Sequence, residues 1–208
     1  MIRIGIVDYG LGNRRSVEKA VEHVDAQAVL SADHDALRGC DGVILPGVGA
    51  FPSGMERLRA GGFDDLLHEV VRAGVPLFGA CLGMQLLFDA SSEHGGTAGL
   101  GLIPGEVRRL DAPGMKLPHI GWSEVRWRGA SPLLDGLPDP SVFYHVHSYV
   151  PHPQDADDVL GVSSYGGEFT SVVARGSVFG AQFHPEKSSL HGLRMLRNFA
   201  ALCARQPA

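Results

Sequence analysis

The apolar run Val75-Pro76-Leu77-Phe78-Gly79-Ala80 ends in Cys81 and turns at once into Leu82-Gly83-Met84-Gln85. Far downstream a second apolar run, Phe179-Gly180-Ala181-Gln182-Phe183, ends in His184-Pro185-Glu186. A cysteine attacks as its thiolate, and it needs a base to manage the protons of the group it attacks. The glycines at 79 and 83 suit a nucleophile elbow, a strained strand-to-helix turn that pushes the side chain out of a sheet while small neighbours let the backbone bend. Such a turn points the sulfur at the free amides of a helix N-terminus, whose partial positive charge favours the anion. His184 and Glu186 stand two apart in an extended stretch and so project to one side, where the carboxylate can hold the imidazole while its other nitrogen reaches Cys81. The pattern predicts a cysteine hydrolase with Cys81 as nucleophile, His184 as base and Glu186 as orienter. Cys40 and Cys203 have neither the glycine context nor a partner, and they read as apolar packing.

The elements that must position these groups follow from periodicity. The first half alternates apolar strands, expected at 2–8, 26–30, 41–46 and 75–80, with amphipathic helices at 16–24 and 63–71. That alternation predicts an α/β fold with a mostly parallel sheet and helices on both faces. A helix from Leu82 to about Ala90 should follow the elbow, ended by Gly95-Gly96. Between 100 and 175 the short β-like runs at 106–110, 123–127, 142–150, 159–163 and 171–175 predict antiparallel strands added to the parallel core. Leu190, Leu193, Leu196, Phe199 and Ala200 close the chain with an amphipathic helix. Open α/β sheets bind ligands at the carboxyl ends of their strands, so the glycine-rich turn Pro46-Gly47-Val48-Gly49-Ala50-Phe51 should face Cys81. Its amides, with that of Leu82, could stabilise an oxyanion. Gly10-Leu11-Gly12 is a poor dinucleotide fingerprint, because Arg15 stands where a third glycine is needed.

The chain has 208 residues, 44% hydrophobic content and a formal net charge of −5, which suits a single domain over 1–208. There is no basic cluster, so the electrostatic footprint of nucleic-acid binding is missing. Three cysteines, none in a CxxC or Cys/His ligand spacing, predict a reducing compartment without disulfides and without a metal site. Met1 to Asp8 reads as a strand and not a signal segment, and no apolar run approaches membrane-spanning length. The expectation is a soluble, cytoplasmic enzyme without a cofactor.

Gly79-Ala80-Cys81-Leu82-Gly83-Met84-Gln85 together with His184-Pro185-Glu186 resembles the class I, triad-type glutamine amidotransferases, which hydrolyse the glutamine side-chain amide and hand ammonia to a synthase. Further segments resemble one branch, the glutaminase subunits of imidazole glycerol phosphate synthase. They are Asp8-Tyr9-Gly10-Leu11-Gly12-Asn13, Pro46-Gly47-Val48-Gly49-Ala50-Phe51, Pro118-His119-Ile120-Gly121-Trp122, Phe143-Tyr144-His145-Val146-His147-Ser148-Tyr149 and Gln182 to Ser188. The resemblance runs essentially end to end. It departs at Arg14, where a leucine is usual, at His145, where an aromatic is usual, and at Ser123, where an asparagine is usual.

The resemblance implies a flavodoxin-like amidotransferase fold, no cofactor, and L-glutamine as substrate. Cys81 would form a thioester, His184 would protonate the departing ammonia and then activate water, and the amides of Val48 and Leu82 would form the oxyanion hole. Gly47, Gln85 and the backbone of His147-Ser148-Tyr149 would hold the amino-acid end of glutamine. His147 can serve through its backbone alone or through its imidazole as well. Tyr144, Lys187 and Trp122 would lie where a (βα)8-barrel cyclase subunit docks as a heterodimer partner. Val48 carries a further expectation: a β-branched residue resists positive φ, so turning the Gly47-Val48 amide toward an oxyanion should cost energy until the partner binds. Two other readings stay open from sequence, a glutaminase feeding another synthase such as pyridoxal phosphate or anthranilate synthase, and a non-catalytic module that retains the fold.

Overall fold

The computed structural model describes residues 1–204. In chain order it forms β1 (Arg3–Val7), α1 (Arg14–His23), β2 (Gln27–Ser31), α2 (His34–Arg38), β3 (Gly42–Leu45), α3 (Phe51–Ala60), α4 (Phe63–Arg72), β4 (Leu77–Ala80) and α5 (Leu82–Leu86). There follow β5 (Phe88–Ser91), β6 (Thr97–Ala98), β7 (Ile103–Arg109), β8 (His119–Trp127), β9 (Ser141–His147), β10 (Tyr149–Pro153), β11 (Val159–Ser164), β12 (Glu168–Arg175), β13 (Val178–Ala181) and α6 (Ser189–Cys203).

One large sheet runs β2-β1-β3-β4-β13-β12-β11-β8-β9. The stretch from β2 to β13 is parallel throughout, and the stretch from β13 to β9 is antiparallel. Side chains alternate across the parallel strands, which are buried on both faces as such strands must be. Ile4, Ile6, Ile44, Phe78 and Phe179 pack on one side with Val17 and Val21 of α1 and Phe199 of α6. Val7, Val43, Leu45, Leu77 and Val178 pack on the other with Leu37, Leu58, Leu66 and Leu67 of α2, α3 and α4. The expected helices on both faces are therefore present, and removal of a ring such as Phe78 from this core would cost about 3–5 kcal/mol.

Four features differ from the sequence expectation. The two helices α2 and α3 were not expected. α2 buries only Leu37 and is closed by the Asp33 side chain, which accepts from the Ala36 amide at 2.9 Å. α3 begins at Phe51 within the segment expected to be only a glycine-rich turn. Its N-cap residue, Ala50, has no capping side chain, and the cap comes from Glu93, whose Oε2 accepts the Phe51 amide at 2.7 Å.

The helix expected over 82–90 stops at Leu86, because the carbonyls of Leu86 and Leu87 accept from Leu100, Leu102 and Ile103. The chain continues as strand β5 in a second sheet of order β10-β7-β5-β6. Lastly, the expected run 142–150 is two strands. β9 closes the large sheet and β10 opens the small one, with the corner at Ser148, whose carbonyl accepts the Leu110 amide at 2.8 Å. Among the described residues no helix is long and apolar enough to cross a membrane.

Candidate active site

β4 and β13 are parallel neighbours, with Gly79 opposite Gly180 and Ala80 opposite Ala181. At the end of β4 the backbone turns sharply, and Cys81 takes φ 53° and ψ −113°. Such a conformation costs a non-glycine residue about 1–3 kcal/mol and persists only where the surroundings over-determine it. Here the Cys81 amide donates to the Ala181 carbonyl at 2.8 Å, and its carbonyl accepts from Gln85 at 3.2 Å. Gly83 is required by close approach, since a Cβ there would overlap the Leu45 carbonyl oxygen. A Cβ on Gly47 would likewise meet the Gly83 amide, the Leu82 side chain and the Tyr9 hydroxyl, each at 2.8 Å. The 46–50 turn is thereby pressed against the elbow.

β13 delivers the second group to the same edge. The His184 amide donates to the Tyr144 carbonyl at 3.0 Å, and its carbonyl accepts from Ser188 Oγ at 2.6 Å. Its Nδ1 lies 3.0 Å from Glu186 Oε1, with both side chains almost wholly buried. Burial alone would lower the imidazole's pKa, but hydrogen bonds to Cys81 and Glu186 and the negative charge of both outweigh it and push it up to about 10. The ring is thus held as imidazolium between a sulfur and a carboxylate, a proton donor placed beside a nucleophile. Glu186 Oε2 is buried without a hydrogen-bond partner, so stability is given up to keep this charge behind the ring.

A cavity of about 280 Å³ opens over the sulfur. Of the residues expected from sequence, Cys81, Leu82, Gln85, Val48, His147, Ser148, Tyr149, His184 and Lys187 line it. Gly47 lies behind it, and Glu186 stands behind His184. Leu82 opens α5, so its amide has no intrahelical partner. Val48 does not take positive φ; that conformation falls on Gly49, at 100°. The strain expected at Val48 is therefore absent from this conformation. Trp122 and Tyr144 are not in the cavity wall: they pair across β8 and β9, with ring centroids 5.8 Å apart, on a face where Ile120 is also exposed.

The family model described as glutamine amidotransferase class-I matches residues 5–203. The chain belongs to that family. It is 50% identical over 196 residues to the imidazole glycerol phosphate synthase subunit HisH of Bacillus cereus strain G9842, covering 94% of this chain and 93% of that one. It is 48% identical over 199 residues to the protein of the same name from Moorella thermoacetica, covering 96% and 94%. Among solved structures, a glutamine amidotransferase crystal structure superposes with a TM-score of 0.76 at 21% identity, covering 97% of this chain and 98% of that one. PurLQS from Thermotoga maritima gives 0.74 at 20%, with the same coverage. These two show the fold.

Several residues of this amidotransferase site were not singled out from sequence. Glu93 lines the cavity while capping α3. It lies in a polar stretch with no periodic or motif signal, and only the tertiary fold brings it there. Tyr9 donates to the Pro46 carbonyl at 2.7 Å, beneath the 46–50 turn, and burial followed by the nearby Cys81 charge raises its phenol well above the ordinary value. Gln182 was visible as a neighbour of the His-Pro-Glu triplet, but nothing in the sequence showed where its side chain points.

The three departures from the family pattern find partners within this chain. Arg14 pairs with Asp8. Ser123 Oγ lies 2.9 Å from His119 Nε2, whose Nδ1 lies 3.2 Å from His147 Nε2. His145 is fully buried against Ser171 Oγ at 3.0 Å and the Phe143 carbonyl at 3.2 Å. Burial first, then the neighbouring histidines, lowers His145 to about 3 and His147 to about 2, so both rings are neutral. The His147 imidazole is therefore engaged with His119 between the two sheets. Among the described residues no group of three or more His, Cys, Asp or Glu side chains is arranged to hold a metal ion.

Proposed function

We propose that this chain is the glutaminase subunit of imidazole glycerol phosphate synthase, a single amidotransferase domain that hydrolyses L-glutamine and passes ammonia to a (βα)8-barrel cyclase subunit in a cytoplasmic heterodimer. The observation that carries the reading is that Cys81, in its strained turn, and His184, backed by buried Glu186, line one cavity in a chain half identical to proteins named for that synthase.

In this reading each step has its own residue. The Cys81 thiolate attacks the side-chain amide carbon of glutamine, forming the S–C bond and placing negative charge on the carbonyl oxygen, which the Val48 and Leu82 amides receive. His184 gives its proton to the amide nitrogen as the C–N bond breaks, and ammonia leaves a thioester behind. The now neutral ring takes a proton from water, hydroxide adds to the thioester carbon, and collapse returns the electron pair to sulfur and releases glutamate. Glu186 keeps the ring in the orientation that serves both transfers. The backbone of the Ser148 corner holds the α-carboxylate. Glu93, which lines the cavity while its Oε2 caps α3, suits the α-ammonium.

Mixing the chain with its cyclase, glutamine and the ribulosyl substrate tests the reading. Glutamate and imidazole glycerol phosphate should appear in equal amounts. Glutamate without imidazole glycerol phosphate, with an active cyclase present, would send the ammonia to a different synthase.

A further inference from the structure

We propose that Gln182 is a further polar member of the site, donating a hydrogen bond from its side-chain amide to the Cys81 sulfur and linking that sulfur to the glutamine-binding corner through Gln85 and Tyr149. The glutaminase reading supplies the meaning of the contact for turnover, while the contact itself rests on geometry.

Gln182 is fully buried one residue beyond β13, and its backbone amide is used by the Ser171 carbonyl at 2.8 Å. Its side chain has two neighbours. Oε1 accepts from Gln85 Nε2 at 3.0 Å, and Nε2 lies 3.9 Å from Cys81 Sγ. The two ends of an amide are often interchangeable, but here they are not. Gln85 Nε2 also reaches the Tyr149 carbonyl at 2.9 Å, and a carbonyl only accepts. The Gln85 end shared between these two contacts must therefore be its NH2. The group it meets on Gln182 must then be the oxygen, which leaves the Gln182 NH2 facing the sulfur.

Besides His184, the sulfur meets the Val146 carbonyl at 3.7 Å, an acceptor that suits a thiol. A donor suits a thiolate, and a hydrogen bond to a charged acceptor is stronger than one between neutral groups. At 3.9 Å the contact is loose, and it tightens as charge gathers on sulfur. That charge is present before the S–C bond forms and again when the thioester collapses and the S–C bond breaks. Gln182 therefore favours both the attacking and the departing sulfur. His184 and Tyr9 are the titratable groups that act on the sulfur, Glu186 stands behind His184, and Glu93, His147, Tyr149 and Lys187 line the same cavity.

The test compares the full-length chain with Gln182→Met, which removes the donor at similar length, and Gln182→Glu, which also keeps an acceptor for Gln85. Iodoacetamide alkylation of Cys81 is followed by peptide mass spectrometry across the neutral pH range, with circular dichroism to confirm folding. The half-maximal pH for alkylation should move up by about one unit in both variants. In the complex with cyclase, kcat/KM for glutamine should fall about tenfold with KM nearly unchanged, since a lost pH unit of ionisation is a factor of ten. Alkylation profiles that superpose on wild type in a folded variant would overturn the proposal; if Gln182→Met does not fold, Gln182→Leu, which removes the donor without adding charge beside the sulfur, decides. Absence of glutamate production by the wild-type complex would instead sink the glutaminase reading and leave the alkylation comparison intact.

Discussion

The Cys81 amide donates to the Ala181 carbonyl at 2.8 Å, so the nucleophile leaves β4 while still registered to the strand that delivers His184 three residues later. A parallel pair in the middle of the sheet sets the distance between attacking atom and proton donor. The reactive geometry is a property of the core and not of a mobile loop.

The elbow depends on backbone contact at Gly83, where a side chain has no room beside Leu45. Gly83→Ala should destabilise the chain by about 1–3 kcal/mol and reduce Cys81 alkylation, because the turn must shift to admit a methyl group. Urea unfolding and an alkylation time course measure the two effects. A variant of unchanged stability would show that the elbow is looser than this contact demands.

Two buried histidines tie stability to pH. The folded-state pKa values of His145 and His147, about 3 and about 2, lie below the ordinary value near 6.5, so between those limits the unfolded chain binds more protons. Their contribution is fully present above pH 6.5 or so and is lost as pH falls below it, at up to about 1.4 kcal/mol per pH unit for each proton. His145→Phe should flatten this fall. Urea midpoints measured from neutral to mildly acid pH should shift in the variant's favour relative to wild type as pH drops; parallel curves would contradict it.

Much of this architecture was legible in the chain. Alternating apolar strands and amphipathic helices announced the parallel core, and the glycines around Cys81 marked the elbow, because both are local patterns. α3 was hidden because its cap is Glu93, supplied from another part of the fold. The end of α5 was hidden because its terminal carbonyls are taken by Leu100 to Ile103, and the break at Ser148 because apolar alternation continues through the corner between sheets. The Gln85-to-Gln182 contact joins a side chain of α5 to one just beyond β13, and no spacing rule reports such a pair.

Val48 and Gly49 allow a test of the proposed gating by the cyclase. With positive φ at Gly49 and not at Val48, the turn rests without strain, and swinging the Val48 amide into an oxyanion position at positive φ would cost roughly 1–2 kcal/mol. The isolated chain should hydrolyse glutamine slowly and the complex faster. Val48→Gly should raise the rate of the isolated chain by about tenfold. Equal rates for the wild-type chain with and without cyclase would remove the gating idea.

The exposed pair on β8 and β9 allows a test of the proposed docking surface. Trp122 is 54% exposed against Tyr144, beside Ile120 at 59%, an apolar surface of the kind that anchors interfaces. Trp122→Ala should weaken cyclase binding by about 2 kcal/mol or more while the chain stays folded. Tyr144→Ala and Lys187→Ala should release glutamate in excess of imidazole glycerol phosphate. Unchanged affinity and equal product amounts would move the interface elsewhere.

The most direct measurement of the central claim is the nitrogen source used by a complex carrying Cys81→Ala. With glutamine it should make neither glutamate nor imidazole glycerol phosphate, whereas with an added ammonium salt it should make imidazole glycerol phosphate at the wild-type ammonia-dependent rate. Continued glutamate release by a clean Cys81→Ala preparation would place the nucleophile elsewhere and contradict the account.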